Sequence, residues 1–470
     1  MIHCYKLCSC NIVLDVASGS IHSVDDLAYD VILACNKTGG DVVRDETVKS
    51  VMLKHADVSA SDVLEILDDI DVLKNQGKLF SPDSFAAIAK AEHDAPLSAL
   101  CLNVSHVCNM SCAYCFAGHG SATGHGSAAR QKPHPSDAQL MSLETGKHAI
   151  DFLVESSGLR KNLDVDFFGG EPLLNMDVVK GIVRYAREIE RTIDKKFRFT
   201  LTTNALLIDD DVIDFTNKEI YNVVLSLDGR PEIHDAMRKL PGGSGSYADA
   251  AAKIRKLVDT RRGKGYYIRG TFTSENKDFV NDILHIADLG FKELSMEPVV
   301  TKENEPYGFT AEDLPELYAQ YEKLAVEMLN REKLGKGFNF YHYTLNFAEG
   351  PCVHKRIAGC GVGTEYLAVT PSGELYPCHQ FVGDKRFLMG DVRHGVVNTD
   401  LRREFSQCSI YSRKECRDCW ARFYCSGGCA ANAFYDSGSI GGVYELGCEL
   451  FKKRIECAIM MNVARQTFSP

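Results

Sequence analysis

A chain of 470 residues has room for two to four domains, at least one of them large enough to bury an extensive core. Its 45% hydrophobic and 25% charged residues make an ordinary globular balance, and a net charge of −11 excludes general nucleic-acid binding, which needs a basic footprint. No apolar run approaches the roughly 18 residues of a membrane span and no signal-peptide layout opens the chain, so it is expected in the cytoplasm and off the membrane.

Residues 1–90 predict a small α+β unit. Strands are expected over 2–7, 11–16 and 21–24, with a turn at 17–20. Helices follow from about Asp25, over 46–55, and over 59–75 with Ser59 or Ser61 as the cap. Three strands and then helices is a winged-helix-like order. DNA binding is disfavoured, because Asp62, Glu65, Asp68, Asp69 and Asp71 on the last helix would repel phosphates.

Residues 91–310 alternate strand and helix patterns, the mark of parallel α/β structure. Strands are expected at 99–104, 165–168, 198–202, 223–227, 267–272 and 293–296, with helices such as 176–191 and 247–260 between them. Six strands suit a partial (β/α)6 barrel of the TIM type, with its chemistry at the C-terminal strand ends. Residues 311–350 bridge onward, with a helix over 314–329. Residues 351–450 are Gly-rich and cysteine-dense; a closing helix is expected from Glu449 to about Ala464, and 451–470 is the C-terminal helical segment.

The eighteen cysteines are many for a reducing compartment, where they serve more readily as ligands than as disulfides. None lies between Cys115 and Cys352, and ten fall from Cys352 to Cys457. After the first barrel strand comes Cys108-Asn-Met-Ser-Cys112-Ala-Tyr114-Cys115. This spacing supplies three thiolates to a four-iron cluster whose fourth iron stays open to a small molecule. A zinc knuckle is the alternative, with His106 and His119 near but no fourth ligand at close spacing. The Gly/Ser/His-rich stretch 118–135 reads as an insertion whose His119, His125 and His134 face solvent.

Polar groups end the following strands: Gly169-Gly170-Glu171 after the second, Asn204 after the third, and Ser226 and Asp228 after the fourth, with Arg238 ten residues on. In a barrel these converge on one mouth. Taken together with the three cysteines, they resemble the radical S-adenosylmethionine (SAM) superfamily. The resemblance implies that Cys108, Cys112 and Cys115 hold a [4Fe-4S] cluster whose open iron chelates the methionyl group of SAM. Tyr114 would lie beside the adenine, Gly169, Gly170 and Glu171 would meet the amine, and Ser226 and Arg238 the carboxylate, with Asn204 and Asp228 in the same pocket. Plain packing for Tyr114 and a surface ion pair for Arg238 are the alternatives.

Cys360, Gly373 and Cys378 are followed by Cys416, Cys419, Cys425, Cys429 and Cys448. These spacings resemble the SPASM domain, which implies two auxiliary [4Fe-4S] clusters and so three in all. Cys416, Cys419, Cys425 and Cys448 would hold the outer one. Cys360, Cys378 and Cys429 would hold the inner one, with Cys352 or a substrate thiolate as its fourth ligand. Cys4, Cys8, Cys10, Cys35, Cys101, Cys408 and Cys457 match no motif and read as core or incidental thiols.

The order of parts, with the run Gly359–Tyr366 and Tyr376-Pro377-Cys378-His379-Gln380-Phe381, is similar to the thioether-forming maturases of SCIFF peptides. That similarity implies that residues 1–90 recognise the leader of a Cys-rich precursor peptide by adding a strand near 21–24. It further implies a ferredoxin or flavodoxin as electron donor, and a peptide cysteine sulfur joined to a carbon of another residue after hydrogen abstraction. His379 is a candidate base or a structural histidine. Sulfatase-activating relatives carry aspartate at that position, which counts against their activity here. A peptide epimerase and an iron–sulfur DNA-binding regulator are the other rivals.

Overall fold

The computed structural model describes residues 1–37, 39–40, 43–55, 57–86, 95–115, 139–301, 305–347 and 353–467. Cys352 and the three histidines of the 118–135 stretch lie outside them. Strands β1 (Ile2–Leu7), β2 (Cys10–Asp15) and β3 (Ile21–Val24) form an antiparallel sheet in that order. Cys8 and Ser9, at φ 47° and 61°, make the two-residue turn that lets β1 fold straight back onto β2. Helices α1 (Asp26–Lys37), α2 (Arg44–Met52) and α3 (Ala60–Asn75) follow. Ser59 and Asp62 close a reciprocal capping box on α3. Val31, Ile32, Val63, Leu67 and Ile70 pack on Val13 as a core separate from the main one. β3 pairs on one side only.

The barrel region contains β4 (Ala99–Ser105), the short β5 (Ser111–Cys112), α4 (Leu143–Ser156), β6 (Asn162–Gly169), α5 (Met176–Ile189), β7 (Lys196–Thr203) and α6 (Asp210–Glu219). It continues through β8 (Asn222–Ser226), α7 (Pro231–Met237), β9 (Arg238–Lys239), α8 (Tyr247–Thr260), β10 (Gly265–Phe272), α9 (Phe279–Asp288), β11 (Glu293–Pro298), α10 (Leu314–Lys333) and β12 (Asn339–Phe340). Six long strands run parallel in the order β11-β10-β8-β7-β6-β4, as the alternation requires. Period-two patterning sets their faces. On β6, Leu163, Val165 and Phe167 are fully buried, while Asp164, Asp166 and Phe168 point the other way and are half-buried.

The sheet does not stop at the expected boundary near residue 350. After α11 (Val353–Ala358), β13 (Tyr366–Val369) pairs parallel with β4, and β14 (Glu374–Tyr376), β15 (Gly390–Asp391) and β16 (Gly395–Val396) extend it antiparallel to eleven strands. The apolar run at 366–369 covers what would otherwise be an open edge of β4. The cysteine-rich part is therefore built onto the barrel sheet instead of standing apart from it.

Short helices α12 (Thr399–Ser406), α13 (Lys414–Arg417), α14 (Arg422–Cys425) and α15 (Ala430–Ser437) carry the late cysteines. Helix α16 (Glu445–Thr467) begins earlier than the expected 449 and so holds Cys448 in its first turn. It packs on α10 and on β1 and β2. Tyr5 donates to the Glu456 carbonyl at 2.9 Å, and the His3 ring lies flat on Trp420 at 3.7 Å, so the N-terminal sheet is docked against the C-terminal elements. Among the described residues no helix is long and apolar enough to cross a membrane.

Candidate active site and auxiliary cysteine sites

The loop after β4 carries Cys108, Cys112 and Cys115, and Cys115 N–H donates to the Cys112 carbonyl at 3.2 Å. Burial pushes Cys108 up to about 12 and Cys112 to about 11, which keeps both protonated until a metal displaces the proton. Asn204, ending β7, donates its amide to Asn109 at 2.8 Å and approaches the Cys108 sulfur at 3.8 Å. Two glycines hold this loop against β6. A Cβ on Gly169 would fall on the Ser105 carbonyl, and one on Gly170 on the Val107 carbonyl, in both cases well inside 3.0 Å. The glycines therefore admit the cysteine loop's own backbone, a tighter demand than the ligand approach inferred from sequence.

Arg238 is joined to this loop by the backbone. β5 pairs with β9 so that Cys112 stands directly opposite Arg238, and Ala113 N–H donates to the Met237 carbonyl at 2.8 Å. The guanidinium gives its Nε to Asp228 at 3.0 Å, with the two side chains 12% and 0% exposed. This is no surface pair. Burial works against the Arg238 charge, and the adjacent Asp228 carboxylate outweighs it, so the guanidinium stands above its ordinary range. Tyr114 donates its hydroxyl to the same Asp228 carboxylate and presents its ring to Arg238, 5.5 Å from the guanidinium carbon. Asp228 also accepts from Thr271 N–H at 3.0 Å. Ser226, half-buried at the end of β8, is in register with Arg269 of β10. The mouth thus combines three thiols with a buried cation fixed beside one of them.

Glu171 is fully buried and accepts from Thr203 Oγ at 2.7 Å, Asn204 N–H at 2.8 Å and Leu173 N–H at 3.0 Å. Its carboxylate ties the end of β6 to the end of β7. Burial raises it to about 7 against an ordinary 4.5, with the three donors opposing the shift. The folded state thus holds this proton to higher pH than the unfolded chain does. Its contribution to stability is full below pH 4.5 and declines as pH rises to about 7, by about 3 kcal/mol over that window. Denaturation at stepped pH should show wild type losing stability across this interval, with a shallower slope for Glu171→Gln.

The charges of Cys360, Cys378 and Cys429 act on one another, as do those of Cys416, Cys419, Cys425 and Cys448. Burial pushes Cys378 and Cys425 up to about 12 and Cys448 to about 11. Between Cys425 and Cys429, the residues Ser426, Gly427 and Gly428 all have left-handed backbone, at φ 57°, 86° and 72°. Three such residues in a row turn the chain sharply between the two cysteines. Among the described residues no three His, Cys, Asp or Glu side chains converge as the ligands of one metal ion would.

His379, next to Cys378, has its ring 4.9 Å from that of Phe168, the residue before Gly169. This contact joins the inner cysteine set to the mouth. Sequence reasoning passed over Phe168, although the alternation along β6 already assigns it to the polar face. It also missed Glu297 on β11, which accepts from both terminal nitrogens of Arg454 at 3.1 Å and lies 3.3 Å from His342. Arg454 is brought there by α16, which local pattern cannot foresee.

Residues 102–285 match the Radical SAM superfamily, and residues 360–420 match SPASM, an iron–sulfur cluster-binding domain. The chain therefore carries a Radical SAM region and a SPASM region, the second continuing the sheet of the first. It is 23% identical over 379 residues to the radical SAM cyclopropyl synthase TigE of Paramaledivibacter caminithermalis, covering 78% of this chain and 74% of that protein. It is 25% identical over 395 residues to a cysteine-type anaerobic sulfatase-maturating enzyme of Clostridium perfringens, covering 78% and 98%. In fold it is similar to native anSMEcpe with bound AdoMet, with a TM-score of 0.65 at 21% identity over 80% of this chain and 100% of that one.

Proposed function

We propose that this protein is a radical SAM peptide maturase that forms thioether cross-links in a Cys-rich, SCIFF-type precursor peptide. The observation that carries the reading is the His379–Phe168 contact, which sets the inner cysteine set against the SAM-type mouth. The residues fit the cofactors. Cys108, Cys112 and Cys115 would hold one [4Fe-4S] cluster, with SAM on its open iron. Cys416, Cys419, Cys425 and Cys448 would hold an outer auxiliary cluster, and Cys360, Cys378 and Cys429 an inner one. When bound, SAM and its cluster supply a carbon radical that removes a hydrogen atom from the peptide.

The chain's own groups do the positioning. Arg238 spends its Nε edge on Asp228, which leaves the guanidinium beside Cys112 to receive a carboxylate. Tyr114 is pinned through the same aspartate. Gly169 and Gly170 bring the backbone of β6 against the cysteine loop, and Glu171 and Asn204 lock β6 to β7 beneath it. The inner set would take Cys352 or a peptide cysteine as its fourth ligand, and the maturase reading favours the peptide thiol. His379 stands ready to receive that thiol's proton, since the thiolate is the reactive form. Among the described residues β3 pairs on one side, and its other edge offers backbone groups for a leader strand, which supports residues 1–90 as the peptide-recognition element. A ferredoxin or flavodoxin would supply the electron.

The test is co-expression with a small Cys-rich peptide followed by intact mass and alkylation. Loss of two hydrogens per bridge, with a cysteine that no longer alkylates, is expected. The relationship to a cyclopropyl synthase makes carbon–carbon closure the second reading. It would give the same mass loss with every cysteine still open to alkylation. His379→Gln should cut peptide modification at least about tenfold, in the range of general-base catalysis, while 5′-deoxyadenosine still forms. Unchanged product formation would remove His379 from that role.

A further inference from the structure

Arg413 lies three residues before Cys416 and is 4% exposed. Such burial is rare for a guanidinium without a carboxylate, and among the described residues no ion pair forms with it. Its Nη1 donates to the Gly427 carbonyl and its Nη2 to the Ile440 carbonyl at 2.8 Å. Its Nε is buried without a hydrogen-bond partner, and the Cys408 thiol, which belongs to neither cysteine set, lies beside the same guanidinium. Native proteins rarely strand a buried charged donor unless something absent from the protein atoms receives it.

The surroundings indicate what that is. The Arg413 side chain lines a small cleft together with Cys360 of the inner set, Gly428 and Ala430. The Gly427 carbonyl that takes Nη1 stands between Cys425, of the proposed outer set, and Cys429, of the proposed inner one. The left-handed loop that separates the sets is built around this side chain, since a Cβ on Gly427 would meet Arg413 Nη1 at 2.5 Å. A single fixed cation thus stands between two groups of thiols that become anionic on loading.

We propose that Arg413 is a positioning residue shared by both auxiliary sites, where its charge and unspent Nε–H favour the negative charge each cluster gains on reduction. This rests on the reading that both cysteine sets hold [4Fe-4S] clusters. Reduction adds one electron, taken from a low-potential donor, and changes no bond. The added charge stays on the iron–sulfur core, where net charge and hydrogen bonds to sulfur set the potential.

The test is a dithionite redox titration, followed by electron paramagnetic resonance, of the full-length reconstituted protein. Arg413→Gln should lower both auxiliary midpoint potentials and leave that of the Cys108/Cys112/Cys115 cluster in place. Arg413→Lys, which keeps a charge and loses the Nε–H, should lower them less. Unmoved auxiliary potentials, or an equal shift at all three clusters, overturn the proposal. Should the glutamine variant fail to bind iron, the lysine variant decides: potentials below wild type support the role, and potentials equal to wild type end it. A wild-type protein with no auxiliary cluster signals would sink the underlying cluster reading, a different failure from unmoved potentials.

Discussion

Arg238→Met is expected to reduce 5′-deoxyadenosine formation from SAM by at least about 100-fold under dithionite, a barrier change of about 3 kcal/mol. Two losses combine. The first is the cation beside Cys112, placed by the β5–β9 pairing where the methionyl carboxylate would sit. The second is local: Asp228, fully buried, loses the partner that balances it and keeps Tyr114 and Thr271 as donors. Removing one member of a buried ion pair costs about 3–5 kcal/mol, so the melting temperature should fall as well. Arg238→Asn with Asp228→Asn separates the effects. Neutralising both charges should recover much of the stability, and SAM cleavage should stay low because the cation is still absent. Recovery of cleavage in the double variant would show that Arg238 serves the fold alone.

The six parallel strands were legible because alternation and β-branched runs report local structure, and each observed strand contains or nearly contains its predicted span. The two late cysteine groups were legible because ligand spacing is a covalent property of the chain. What escaped was pairing over distance. Nothing local says that residues 366–369 would join β4 and carry the barrel sheet into the cysteine-rich part. Nothing local says that Arg238 would pair with Cys112. The segment between them includes three of the barrel strands, and proximity follows only once these have closed. Glu171 was read as an amine contact from its place in Gly-Gly-Glu. The fold shows its carboxylate occupied by Thr203, Asn204 and Leu173. Arg413 carried no signal at all, since a basic residue beside Lys414 and Glu415 reads as surface charge until burial is known.

Gly169→Ala should be among the most destabilising single substitutions in the barrel, and its origin is steric. Gly169 sits at φ 129°, outside the region that side-chain-bearing residues favour, and its Cβ would overlap the Ser105 carbonyl oxygen. That oxygen is backbone, fixed by accepting from Gly170 N–H at 2.7 Å, so no rotamer change relieves the contact. Backbone strain of about 1–3 kcal/mol and a comparable overpacking term give a loss of about 3–5 kcal/mol. Gly19→Ala provides the control. At φ 75° it meets the same kind of backbone penalty, but nothing lies within 4 Å of its Cβ, so about 1–2 kcal/mol is expected. Urea unfolding of the two variants should therefore differ by at least about 1 kcal/mol, with m unchanged. The alanine at 169 should also cut iron retained by the cysteine loop, because the displaced Ser105–Cys108 backbone carries the first thiol. Equal destabilisation of the two variants would mean that φ alone dictates glycine at 169 and that the close approach of β6 to the loop is not what binds the site together.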